Sequence, residues 1–273
     1  TKANFDTLHL DNTITMTGAA VVLTDQLDIT AIQAVDTVTG TKVVTVDSMT
    51  GTKANFDTLH LDNTITMTGA AAQLTDQLNL TSIQAVNTLT TGVVKVDSLT
   101  GTKANFDTLH ADSGVNMTTA AAVITNQVNK SDADAIGAIT NGNVTYNSFT
   151  GSYDDWIEVH DTDTKKLMGG ADVALTGAVS LVNLQTVDAD TTGTITFTAV
   201  EDQRTSIATI DSTGAYNMST ATITVTDQVN LTQAQAIDAY TTKAVTVNSF
   251  TGTKANFDTA HLDNTITMTG AAV

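Results

Sequence analysis

The chain has 273 residues and sets 11 basic against 29 acidic side chains, a formal net charge of −18 at pH 7 that would repel a nucleic-acid backbone. It contains no Cys, which excludes disulfides, thiolate nucleophiles and Cys-based zinc sites, and no apolar run of bilayer-spanning length. With 57 Thr and no Pro, the composition favours strands and side-chain-bonded turns over helix bundles.

The segment TKANFDT starts at Thr1 and recurs at Thr52, Thr102 and Thr253. Met16, Met67, Met117, Met168, Met218 and Met268 keep the same phase, 50 or 51 residues apart. The units are therefore 1–51, 52–101, 102–151, 152–202, 203–252 and a partial 253–273. The chain opens on a repeat boundary and stops 21 residues into a sixth unit, so the expectation is a cut through a longer array, or ends that meet another copy of the chain.

Within a unit, Ile223 and Val225 alternate with Thr222, Thr224 and Thr226, which predicts a half-buried strand that Asp227 ends. Thr232 with Gln235 three residues on predicts an N-cap and a short helix, repeated as Thr30 with Gln33, Thr81 with Gln84 and Ser131 with Asp134. Val245 and Val247 predict a second strand, with Val44, Val46, Val94 and Val96 as equivalents. After a Thr-Gly turn such as Thr50-Gly51, a third extended segment carries one core slot, filled by Leu8, Leu59, Leu109, Val159, Ile210 and Ala260. Ile14 and Met16 predict a fourth strand.

Four short strands and a helical turn bury too little surface to fold alone, so stacking must supply the core. The fold class implied is mainly β: a β-solenoid built from 50–51-residue tandem repeats, each with several short strands and one short helix, running continuously over 1–273. A string of two-unit sandwich domains competes with it, but no linker composition separates such domains and the phase never breaks.

The run VTDQVNLTQAQAIDAYTTKAVTVNSFTGT, residues 225–253, resembles the Thr/Asp/Ala-rich tandem repeats of very large secreted bacterial surface proteins, adhesin-like or surface-layer-like. The resemblance covers nearly all of the chain and implies a structural role at an extracellular or cell-surface location. The calcium nonapeptide of haemolysin-type repeats, G-G-x-G-x-D, is absent, so calcium is not implied by that group. No G-x-S-x-G, P-loop or H-E-x-x-H motif occurs, and no enzyme activity is expected.

Candidate ligands recur at the corner after the first strand, three residues apart: Asp25 and Asp28, Asp76 and Asn79, Asn126 and Asn129, Asp227 and Asn230. Hard oxygens at turns suit Ca²⁺, and the same residue types also cap turns by bonding their own backbone. One slot holds all five His (His9, His60, His110, His160, His261), with Asp211 in the fifth unit. On an alternating strand it faces away from the core, which predicts a solvated ladder.

The fourth unit departs most from the pattern. It holds the single Trp, Trp156, and both Glu, Glu158 and Glu201; Gly177 replaces the corner Asp, and Val182 stands where a cap is expected. Asp161 and Asp163 there are further calcium candidates. Two functions follow. One is a non-enzymatic structural segment that self-associates end to end or laterally into a filament or coat. The alternative is a calcium-dependent adhesive or ligand-binding module centred on the fourth unit. No cofactor beyond that calcium, no nucleic acid and no transmembrane segment are expected.

Overall fold

The computed structural model describes residues 1–11, 14–162 and 164–268. The described residues form 11 helices and 14 strands, so the architecture is mixed α/β and solenoid-like rather than mainly β. Each 50-residue unit makes two coils. In the second unit, helix Lys53–His60 precedes strand Ala71–Leu78, which runs into helix Leu80–Asn87 and then strand Val94–Gly101.

Successive strands pair in parallel at offsets of 21 to 24 residues: Leu78 beside Leu99, Ala72 beside Val94, Ser98 beside Ala121, Ser148 beside Asp172. A parallel neighbour needs a crossover, and the helices provide it. This pairing rules out serial sandwiches, whose neighbouring strands run antiparallel.

The chain divides into two compact units, residues 1–126 with 134–145, and residues 127–133 with 146–273. In the first, strands Val21–Leu27, Val44–Gly51, Ala71–Leu78 and Val94–Gly101 lie side by side in chain order. In the second, Asp172–Val179, Ile195–Asp202, Thr222–Val229 and Val245–Phe250 do the same. Within each unit the core lies between strand and helix layers. Leu74, Val94, Val96 and Leu99 point inward to meet Phe56, Leu59, Ile83 and Val86, all buried. The opposite sheet face is polar and laced across strands: Gln26 donates to Gln73 at 3.2 Å and Gln73 to Asp97 at 2.8 Å.

The TKANFDT segment is a helix, where an extended segment was expected. Thr52 and Asn55 form a reciprocal capping box, Lys53 pairs with Asp57 at 2.5 Å one turn on, and Phe56 and Leu59 fall three apart on the buried face. Together these outweigh the strand preference of the Thr content. The core slot itself is correctly identified, since Leu59, Leu109, Val159, Ile210 and Ala260 are all buried. Leu8 differs, at 44% exposed, in a first helix with a described coil on one side only.

Three further expectations change. Thr50-Gly51 and Thr100-Gly101 end strands (Val44–Gly51, Val94–Gly101) and run directly into the next N-cap, without a separate turn, whereas Thr251-Gly252 follows the end of Val245–Phe250. The fourth strand is two residues long, as in Ile65–Thr66. The expected caps sit two residues early: Asn230, not Thr232, caps Leu231–Asp238 in a box with Gln233, because the strand runs past Asp227 to Val229.

A Thr ladder, buried at Thr90, Thr140 and Thr191, joins consecutive coils. Thr90, Thr140, Thr191 and Thr241 each donate to the carbonyl of an Ala twenty residues earlier (Ala70, Ala120, Ala171 and Ala221) at 2.5 to 2.7 Å. Thr140 Oγ1 also accepts from the Gly142 N–H at 3.0 Å. Thr140→Val keeps the shape and leaves both backbone groups without this partner, which is expected to cost about 2–3 kcal/mol. Denaturant midpoints would show it; an unshifted midpoint would contradict the ladder's role.

Candidate functional site

The His slot falls in the last turn of a helix, not on a strand. There His60 is exposed and stacks on Phe56, one turn back, with ring centroids 6.2 Å apart; His9 on Phe5 and His261 on Phe257 repeat the arrangement. Surface clefts recur beside the slot. One of about 350 Å³ is lined by His110, Asp112, Asn116 and Met117, another of about 410 Å³ by His261, Asp263, Thr267 and Met268. A cleft that returns at equivalent positions belongs to the repeat rather than to one specialised centre.

The fourth unit changes the slot's surroundings. Helix Tyr153–Thr162 carries Trp156, His160 and Asp161, and helix Leu181–Asp190, in the next coil, ends on Asp190. The buried Trp156 ring packs edge-on to Phe149 at 5.6 Å and stacks on His160 at 5.5 Å. His160 Nδ1 lies 2.8 Å from Asp161 Oδ1 and 3.6 Å from Asp190 Oδ2, and Trp156 Nε1 donates to that same Asp190 oxygen at 3.3 Å. Among the described residues, this is the one group of three His or acidic side chains whose ligand atoms all lie within 4.8 Å of one another.

The corner residues are placed differently. Asp25, Asp76, Asn126 and Asp227 each accept from the first backbone N–H of a helix in the preceding coil, those of Lys2, Lys53, Lys103 and Arg204, at 2.7 to 3.1 Å. At Asp76 and Asp227 a register irregularity in the strand, between Leu74 and Gln77 and between Val225 and Gln228, accompanies this turn of the side chain. Asp28, Asn79, Asn129 and Asn230 instead accept from the helices they begin, from the N–H groups of Ala31, Ser82, Asp132 and Gln233. The two members of each pair thus serve two different helix N-termini. Asp161 joins the His160 group, and Asp163 lies outside the described residues.

In the fourth unit the corner is Gly177, at φ +81°, and Asp202 takes up an equivalent task by accepting from the Leu181 N–H at 2.9 Å. The cap expected to be lost opposite Val182 is present: Ser180 accepts from Asn183. Sequence reading missed His160 and Asp190 as partners. The available signal was positional, because Asp190 stands ten residues after its N-cap where Val38, Leu89, Ile139 and Tyr240 stand elsewhere. Asp161 likewise stands where Leu10, Leu61, Ala111, Ser212 and Leu262 stand in the other units.

Three carboxylates are held below their ordinary value of 3.8 by hydrogen bonds: Asp62 and Asp263 by the hydroxyl and N–H of Thr64 and Thr265, Asp155 by the N–H and hydroxyl of Ser152. A lowered folded pKa confers stability that is present above the ordinary value and disappears as the pH falls through the folded one. The melting temperature is therefore expected to hold down to about pH 4 and to drop below it. Thermal melts across an acid series test this, and a flat profile into stronger acid would refute it.

Among the described residues no helix is long and apolar enough to cross a membrane. Set against known proteins, the chain matches no family model, no curated protein and no solved structure.

Proposed function

We propose that the chain is a non-enzymatic structural segment of a secreted or cell-surface repeat protein, one that associates with further copies of itself into a filament or coat. The observation carrying this reading is where the recurring polar side chains are directed. The Thr ladder and the corner Asp residues bond the coil before them, and the N-cap residues bond their own helices. Groups so engaged are spent on holding one coil to the next, which supports a structural role. Leu8 is exposed in a slot that is buried at Leu59, Leu109 and Val159, an apolar surface that supports association with a second copy.

The test is an in-frame deletion of residues 52–101, which joins Gly51 to Thr102 in phase, made in cells that produce the protein. A structural segment is expected to remain folded and to stay accessible to antibody on intact cells, two coils shorter. Labelling that requires permeabilised cells, or loss of folding on removal of a whole unit, would overturn the reading.

A further inference from the structure

The fourth unit makes three departures from the repeat that meet at one point. Asp161 stands where the other units have Leu, Ala or Ser, Asp190 where they have Val, Leu, Ile or Tyr, and Trp156 where they have Phe or Ile, and all three surround a His present in four other units. The unit departs from the repeat elsewhere as well, at Glu158, Gly177 and Glu201, but here changes on two consecutive coils converge on one imidazole. The outcome is one imidazole nitrogen and two carboxylates from two consecutive coils, with their ligand atoms mutually within 4.8 Å.

We propose that His160, Asp161 and Asp190 bind a divalent transition-metal ion of the zinc, cobalt or nickel class, which ties one coil to the next. The proposal does not rest on the structural role argued above. Ligand chemistry selects the class, because an imidazole nitrogen suits these borderline ions while Ca²⁺ takes oxygens. Geometry permits it. Ligands about 2.0–2.2 Å from a tetrahedral ion lie about 3.3–3.6 Å apart. The His160–Asp190 separation of 3.6 Å is already in that range, and the 2.8 Å contact to the exposed Asp161 needs to open by less than an ångström. The ion takes the Nδ1 lone pair, so any proton on Nδ1 leaves to solvent and the neutral ring keeps its hydrogen on Nε2; water completes the coordination. Trp156 is a positioning residue here: its Nε1–H fixes the Asp190 carboxylate and its face fixes the imidazole.

Trp156 also supplies the readout, as the only Trp of the chain and in direct contact with the site. Titrating the full chain with Co²⁺ is expected to quench its fluorescence saturably at one ion per chain. Zn²⁺ should displace the Co²⁺, restore the emission and raise the melting temperature, whereas Ca²⁺ at equal concentration should not. His160→Gln and Asp190→Asn are each expected to weaken binding at least tenfold, with the far-UV spectrum and melt of each variant confirming its fold, and His60→Gln should leave it unchanged. Absence of saturable quenching would reduce the cluster to a His–Asp ion pair and overturn the proposal. Full affinity in His160→Gln, or displacement by Ca²⁺ as effective as by Zn²⁺, would overturn it as well.

Discussion

Leu59→Asp is expected to abolish folding of the coils around helix Lys53–His60, while His60→Asp, one residue along, is tolerated. The Leu59 side chain is fully buried among apolar neighbours, and a carboxylate there would find no cationic partner. Burying an unpaired charge costs several kcal/mol, a large fraction of the stability of any domain of this size. His60 projects into solvent from the next helical position, so exchanging it for Asp, the residue of this slot at Asp211, removes an exposed stack on Phe56 and alters surface charge, within about 0.5 kcal/mol. Contacts in a stacked array run mainly between neighbouring coils, so the damage should be graded with distance. Amide exchange would report it as lost protection over roughly residues 44–78 with protection retained toward the C-terminal strands. Equal destabilisation by both substitutions would contradict the facing of this helix.

Trp156→Ala carries the second large effect. Its indole is wholly buried, contacts Phe149 edge-on and donates to Asp190, so truncation opens a cavity and removes a hydrogen bond together. Large aromatic truncations of this kind cost about 3–5 kcal/mol. Trp156→Phe restores the residue found at Phe5, Phe56, Phe106 and Phe257 and keeps most of the packing; it is expected to cost about 1–2 kcal/mol, mainly through the lost Nε1–H bond. Equilibrium unfolding of both variants separates packing from hydrogen bonding. Comparable losses from the two would show that the bond to Asp190, and not ring volume, dominates.

Much of the fold was legible because repetition averages over local ambiguity. The phase of the units, the inward Val of strands such as Val44–Gly51 and the core slot at Leu59 all follow from residues that return at fixed spacing. The misreadings share one cause. Thr and Asn suit strands, turns and caps alike, and in TKANFDT the Thr52-to-Asn55 box had to be weighed against alternation in a Thr-rich context. Treating that segment as extended removed a helix from each unit, and with it the second crossover that makes two parallel coils.

The site was less legible for a different reason. Asp190 and His160 are thirty residues apart, and only the coil offset of 21 to 24 residues, together with the helical phase of both segments, places them together. Asp28 and Asn230 read equally well as ligands or as caps from sequence, since the same oxygen serves either purpose; the structure shows the backbone N–H each one accepts from.

The Thr ladder and the corner carboxylates share a direction. In each case the later coil contributes the side chain and the earlier coil contributes the backbone group it satisfies: Thr140 reaches back to Ala120, and Asp227 back to Arg204. A coil just completed on the ribosome therefore still has a helix N–H and an Ala carbonyl waiting, and the following twenty-odd residues deliver their partners as they emerge. The polypeptide is built to be added to in the order of its synthesis, each newly made coil sealing its predecessor and presenting the same unfilled positions to its successor.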